Sequence, residues 1–138
     1  MSDSADNDVL DRIRAHSATG FGSIVGIEYT EVTPDRVVVT VPVKPHLHQP
    51  HGIVHGGVYC AIVEEVASVA GAVWVGGEGR VVGVNNSTDF LRAVTEGTLT
   101  ATGTPVHRGR SQQLWRVEIT DDGGRTAAVG QVRLANLQ

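Results

Sequence analysis

The sequence predicts an α+β fold in which an antiparallel sheet wraps around one long central helix. Three observations predict it. One long stretch has apolar residues at helical spacing, several shorter stretches have the alternation of strands, and a turn sequence joins the last two of them directly. The order is two strands, the helix and then four strands. A lone long helix must bury its apolar face against the sheet, so the helix is expected to cross it.

The helix is predicted over residues 56–74, where the apolar positions recur every three or four residues, and it ends at Gly76, Gly77 and Gly79. A short amphipathic helix is predicted over residues 6–16, before a break at Gly20 and Gly22. The strands are predicted over residues 24–32, 36–43, 80–91, 98–107, 112–120 and 126–134. Turns are expected at residues 33–35 and at the Asp-Asp-Gly-Gly sequence of residues 121–124.

Composition indicates a globular protein that works in the cytoplasm. The 138 residues suit one domain, 1–138, with residues 1–20 as a helical N-terminal extension. A net charge of −4 argues against a nucleic-acid partner. Glu or Gly interrupts the longest apolar runs, so no membrane span is expected. The single Cys60 rules out an internal disulfide, which suits a reducing compartment.

The start of the long helix carries groups suited to acyl transfer. His55 is followed by Gly56 and Gly57, and the first amides of a helix have no partner within it, so they can bind a substrate oxygen. Further along the helix, Glu64 and Ser68 lie one turn apart on the same face. An amide donor, a carboxylate and a hydroxyl are sufficient parts for an acyl-transfer site.

Spacing extends this pattern into a family resemblance. Gln49 lies seven residues before Gly56, Glu64 lies eight residues after it, and Ser68 follows Glu64 by four. With these positions and this order of elements, the chain resembles the hotdog-fold acyl-CoA thioesterases of the 4-hydroxybenzoyl-CoA type, which use a catalytic glutamate and include the phenylacetate-pathway enzymes. The resemblance covers residues 22–134 and implies hydrolysis of an acyl- or aryl-CoA to a carboxylic acid and CoA.

The resemblance also implies a role for each of these residues. The Gly56 amide would polarise the thioester carbonyl, and Glu64 would be the nucleophile or the general base for water. Ser68 would orient the water or the carboxylate, and Gln49 and His55 would help to hold the carbonyl or the water. The groups implied to bind CoA are Arg92, Arg108, Gly109, Arg110 and Ser111. CoA is part of the substrate, so no separate cofactor is expected.

The resemblance further implies an active site between two subunits. One chain would supply Gln49, His55 and Gly56, and its partner would supply Glu64 and Ser68. A homodimer is therefore expected, with pairing of dimers into a homotetramer.

Several alternatives stay open at this stage. Glu65 is the rival acid, and spacing favours Glu64 and a surface or interface position for Glu65. The histidines at positions 46, 48, 51 and 55 could bind zinc in a metal-dependent hydrolase, but no further ligand lies nearby in the sequence, and no metal site is predicted. Cys60 suits a buried, inert position. A non-catalytic protein that binds acyl-CoA or a small aromatic ligand is the main alternative function, and a dehydratase fits less well.

Overall fold

The computed structural model describes residues 2–76 and 79–137, so Gly77 lies outside the described residues. Two helices open the chain, α1 (Ser2–His16) and α2 (Phe21–Val25), and the long helix is α3 (Gly56–Val75). A short 3-10 turn covers Pro45–Leu47. The strands are β1 (Glu28–Thr33), β2 (Arg36–Pro42), β3 (Arg80–Phe90), β4 (Thr98–Arg108), β5 (Gln112–Thr120) and β6 (Thr126–Leu137).

The strands form one antiparallel sheet in the order β1-β2-β4-β5-β6-β3. Helix α3 lies against this sheet and contacts every strand of it. Its sheet-facing side chains are fully buried, namely Ile62, Val63, Val66, Ala67 and Ala70. The predicted fold class is therefore confirmed. Strand β3 is left at an edge of the sheet, where β6 is its one partner among the described residues.

Helix α3, at 20 residues, is long and apolar enough to meet the length and composition of a membrane span. Its apolar face is instead the core of this domain. At Gly71 the helix approaches the sheet so closely that a Cβ would overlap the Leu134 side chain. This close packing makes α3 a core helix.

The N-terminal third departs from the sequence prediction. Residues 24–25 belong to α2 rather than to the first strand, and Gly26, with a φ of 92°, ends this helix in the left-handed conformation that glycine adopts most easily. Helix α1 begins at Ser2 rather than at residue 6, and its Arg14 Nε donates to the Tyr29 carbonyl at 3.0 Å.

The last strand is longer than predicted, because β6 continues through residues 135–137. Ladder pairing explains the extension. Val81 and Arg80 of β3 pair with Asn136 and Leu137, and Asn136 N–H also donates to Ser111 O at 2.9 Å. Partners distant in sequence hold this end in the sheet, and the local alternation of apolar and polar residues does not reveal them.

Candidate active site

The N-terminus of α3 presents a backbone N–H group that can donate a hydrogen bond to a ligand. His55 is the N-cap, and its Nδ1 accepts from Gly57 N–H at 2.8 Å. The ring therefore carries its proton on Nε2. Among the described residues, no acceptor is found for Gly56 N–H. His55 thus satisfies one amide of the first turn and leaves the neighbouring one available, at the positive end of a 20-residue helix.

The loop before the helix holds Gln49 in a turn. Gln49 N–H donates to Ile53 O at 2.8 Å, and Gly52 N–H donates to Gln49 O at 2.9 Å. The Gln49 side-chain Oε1 accepts from His51 N–H. This bond fixes which end of the amide is the oxygen, so the Nε2 group is the end that can donate to another molecule.

Gln49 and Gly56 share one cleft of about 380 Å³, which Tyr59, Phe90 and Arg92 also line. Phe90 lies so close to Gly56 that an added Cβ would be 2.5 Å from Phe90 Cε2. The rings of Tyr59 and Phe90 are 5.9 Å apart, centroid to centroid. The cleft therefore combines two donors with an aromatic wall.

Tyr59 is 3% exposed, and its hydroxyl is buried with no hydrogen-bond partner among the described residues. Burial and the nearby negative charge of Asp121 raise the pKa of this phenol. The hydroxyl is therefore a neutral, unsatisfied donor behind the cleft wall.

Glu64 lies on a different side of α3, against the edge strand β3. Its Oε2 accepts from Asn86 Nδ2 at 3.1 Å, and the same Nδ2 group donates to Cys60 O at 3.1 Å. A Cβ at Gly83 would overlap Glu64 Oε1, so the carboxylate rests on bare backbone. Strand β3 therefore positions this acid.

The structure does not bring all the predicted site residues together within one chain. Glu64 follows Gly56 by eight residues, which is about 12 Å along a helix. Ser68 lies one turn further on, and its hydroxyl has no hydrogen-bond partner in the part of the chain that is described. Gln49, Gly56 and Arg92 form one group at the cleft, and Glu64 and Ser68 form a second group along α3.

Glu65, the rival acid, points to another side of the helix, about 100° around it from Glu64. Tyr29 OH donates to Glu65 Oε2 at 2.6 Å, and the carboxylate packs against the Gly22 backbone. Burial of Tyr29, together with this carboxylate, raises the pKa of the phenol. Glu65 is partly exposed and joins α3 to β1 and α2 within the chain. Its expected position at a surface or interface stays a prediction.

Comparison with known proteins identifies the family of the chain. The profile of the Thioesterase superfamily matches residues 51–128, more than half of the chain. The chain belongs to the thioesterase superfamily. Thioester hydrolysis is therefore its general reaction class.

Individual members of the superfamily match over most of the chain. The solved structure of Rv1847 from Mycobacterium tuberculosis is 51% identical, covers 86% of this chain and 96% of its own, and superposes with a TM-score of 0.83. The 1,4-dihydroxy-2-naphthoyl-CoA hydrolase of Escherichia coli is 33% identical and covers 91% of this chain and 94% of its own. The proofreading thioesterase EntH of Cronobacter turicensis is 36% identical and covers 89% of this chain and 92% of its own. All three matches include the region of the cleft and of α3.

The arginines of this thioesterase-superfamily domain differ in whether their guanidinium groups are bound by other residues of the chain. Arg108 is held within the fold. Its Nη1 donates to Asp35 Oδ1 at 2.8 Å and to Pro34 O at 2.9 Å, and its guanidinium carbon lies 5.6 Å from the centroid of the Trp74 ring. Arg92 is exposed at the cleft, and Arg110 is exposed in the turn between β4 and β5. No ion pair of Arg92 or Arg110 is found among the described residues.

Two side chains of the histidine-rich loop form hydrogen bonds with backbone carbonyl groups. His46 Nε2 bonds Ile24 O at 3.0 Å, and His48 Nε2 bonds Thr95 O at 2.8 Å. Within residues 2–76 and 79–137, no group of three or more His, Cys, Asp or Glu side chains is arranged to hold a metal. The loop therefore anchors α2 and the segment before β4.

Sequence reasoning missed Asn86 and Gly83, which place the Glu64 carboxylate. Nothing in their local sequence marks them, because they lie 22 and 19 residues from Glu64 along the chain and meet it only when β3 packs beside α3. The one available signal is the glycine itself, since a glycine inside a strand often marks close approach of another group.

Proposed function

We propose that this protein is an acyl-CoA thioesterase of the 4-hydroxybenzoyl-CoA type, with Glu64 as its catalytic carboxylate. It converts an acyl- or aryl-CoA and water to the free carboxylic acid and CoA. One observation carries the proposal. The free Gly56 amide and the Gln49 amide group share a cleft, and Glu64 is held by an edge strand about two helical turns away.

The thioester carbonyl oxygen accepts hydrogen bonds from Gly56 N–H and Gln49 Nε2. These donors are preorganised, since His55 caps the first turn and His51 holds the far end of the Gln49 amide. Charge that develops on this oxygen as the carbonyl is attacked is stabilised by both donors and by the α3 dipole. The aromatic rings of Tyr59 and Phe90 line the wall beside it and suit an aryl or bulky acyl group.

Glu64 drives the attack on the thioester carbonyl, and it can do so by two routes. As a general base it takes a proton from water while the water oxygen attacks, and the thiolate of CoA leaves and takes up that proton. As a nucleophile its carboxylate attacks the thioester carbonyl and expels the thiolate of CoA. Water then hydrolyses the mixed anhydride to the carboxylic acid and free Glu64, and the thiolate takes up the proton that is released. Single-turnover hydrolysis in isotopically labelled water separates them, because attack of water on the anhydride at the glutamyl carbonyl labels Glu64.

The separation of Glu64 from the cleft supports a homodimer in which each active site uses both chains. Gln49, His55 and Gly56 come from one subunit, and Glu64 and Ser68 come from the other. Strand β3 supports this assembly, because its outer edge is unpaired among the described residues, and Val82 and Val84 on it are 44% and 50% exposed. Pairing of dimers into a homotetramer and a cytoplasmic location remain predictions.

The decisive experiment is a thiol-release assay over a panel of aliphatic, benzoyl, hydroxybenzoyl and naphthoyl CoA thioesters. The wild-type protein is expected to release CoA from aryl members of the panel. Glu64→Gln is expected to lower kcat by about 10²–10⁴-fold, the usual contribution of a catalytic acid or base. Glu65→Gln is the matched control, and it keeps kcat because that acid bonds Tyr29. Saturable binding of thioesters by the wild type without thiol release would instead establish a ligand-binding protein.

A further inference from the structure

The three carbonyl groups of the turn between β4 and β5, residues 109–111, all accept hydrogen bonds from one residue, Asn136. Asn136 Nδ2 donates to Gly109 O at 3.0 Å and to Arg110 O at 3.1 Å, and Asn136 N–H donates to Ser111 O at 2.9 Å. All three carbonyls of the turn are thus bound by one residue of β6. The amide groups of the turn take no part in these bonds.

Two of those amides have no partner. Gly109 N–H donates to Gln112 O at 2.9 Å, but no acceptor for Arg110 N–H or Ser111 N–H is found among the described residues. The exposed Arg110 guanidinium and Ser111 hydroxyl lie in the same turn, and the nearby carboxylate of Asp35 is already paired with Arg108. Consecutive free amides beside an arginine suit a phosphate oxygen.

A buried relay sets the orientation of Asn136. The indole of Trp115, which can only donate, bonds Gln113 Oε1 at 2.7 Å. Gln113 Nε2 is therefore directed to Asn136 Oδ1, at 2.8 Å, and Asn136 must present its Nδ2 group to the turn. Trp115 and Gln113 are 0% and 1% exposed, so water does not compete for these bonds.

We infer that Asn136, oriented by Trp115 and Gln113, is a positioning residue that holds the 109–111 turn ready to bind a phosphate of the CoA nucleotide. The inference rests on the proposed function and deepens it. It assigns free acyl-CoA, rather than a thioester carried on a protein, as the substrate class. A carrier protein presents one phosphodiester and no adenine nucleotide, whereas CoA brings several phosphate oxygens to this turn.

Asn136→Leu removes the two Nδ2 hydrogen bonds to the turn and keeps the backbone bond to Ser111 O. Gln131→Leu, which removes an exposed amide on the same strand, is the matched control. Asn136→Leu is expected to raise KM for an acyl-CoA by about tenfold at unchanged kcat, because a turn that is no longer held in place loses an amide hydrogen bond to the charged phosphate. KM for the matching acyl-pantetheine, which lacks the nucleotide, is expected to stay unchanged in both variants. Turnover of acyl-pantetheine by Asn136→Leu also shows that this variant folds.

A milder variant and a direct binding measurement complete the test. Trp115→Phe frees Gln113 to rotate and is expected to raise KM for acyl-CoA in the same selective way. Calorimetry with adenosine 3′,5′-bisphosphate is expected to show binding to wild type and Gln131→Leu and weaker binding to Asn136→Leu.

An equal rise of KM for acyl-CoA and acyl-pantetheine in Asn136→Leu would overturn the inference. Unchanged binding of the bisphosphate by Asn136→Leu would also overturn it, as would preferential turnover of a carrier-protein thioester by the wild type. A wild type that hydrolyses no thioester, yet binds the bisphosphate in an Asn136-dependent way, would defeat the proposed function and leave the role of Asn136 standing.

Discussion

Asn86 donates one hydrogen bond to the Glu64 carboxylate and another to the Cys60 carbonyl, each at 3.1 Å. The amide of Asn86 is itself oriented, because Thr88 Oγ1 donates to its oxygen at 2.7 Å. The edge strand therefore holds the acid of α3 in one position through an ordered chain of side chains.

Asn86→Leu is expected to lower kcat by about tenfold or more with KM little changed, because a hydrogen bond to a charged group is lost. Thr88→Val, which only loosens the Asn86 amide, is expected to have a smaller effect in the same direction. The check is a double-mutant comparison with Glu64→Gln. When combined with Glu64→Gln, Asn86→Leu should lower kcat no further. An additive loss of kcat in the double variant would mean that Asn86 acts on a group other than Glu64.

Gly83→Ala is expected to displace the Glu64 carboxylate, since the new Cβ would overlap Glu64 Oε1. The result should be a loss of kcat of at least about tenfold, because small misplacements of reacting groups are costly. Gly123→Ala is the control, with its nearest neighbours at an ordinary 3.4 Å. Steady-state kinetics with thermal unfolding of both variants checks this, and wild-type kcat in Gly83→Ala would contradict it.

Mixing inactive chains tests the shared active site. Gln49→Ala and Glu64→Gln remove groups that the proposal assigns to different subunits of each site. A heterodimer of the two variants should therefore regain one intact site, whereas each homodimer has none. Co-expression with two affinity tags and assay of the doubly purified heterodimer measures this recovery. No recovery above the two parent variants would place the whole site within one chain.

Tyr59→Phe is expected to be neutral or stabilising to the isolated fold. The buried hydroxyl has no partner, so its removal relieves an unsatisfied group that typically costs about 1–3 kcal/mol. Chemical denaturation measures the free energy of unfolding, with Tyr29→Phe as the contrast. That variant should be destabilised, because Tyr29 OH bonds Glu65 at 2.6 Å. A marked loss of stability in Tyr59→Phe would reveal a partner for its hydroxyl.

Much of the fold could be predicted because its signals are local. The periodicity of α3, the Gly56 start and the bounds of β5 depend on residues a few positions apart. The sequence prediction is wrong at residues 24–25, because Gly26 allows a helix to end in a stretch that also suits a strand. The register of Gln49, Gly56, Glu64 and Ser68 was likewise visible, since it lies within a single loop and helix.

By itself, the sequence determined the helix, the strands and the spacing of the candidate site. Only the tertiary structure decided what each acid meets. Glu64 and Glu65 are neighbours in sequence but point about 100° apart around α3. One therefore reaches Asn86 on β3, and the other reaches Tyr29 on β1. The same holds for Asn136 and the 109–111 turn, because hydrogen bonds between distant segments exist only after the sheet has aligned its strands.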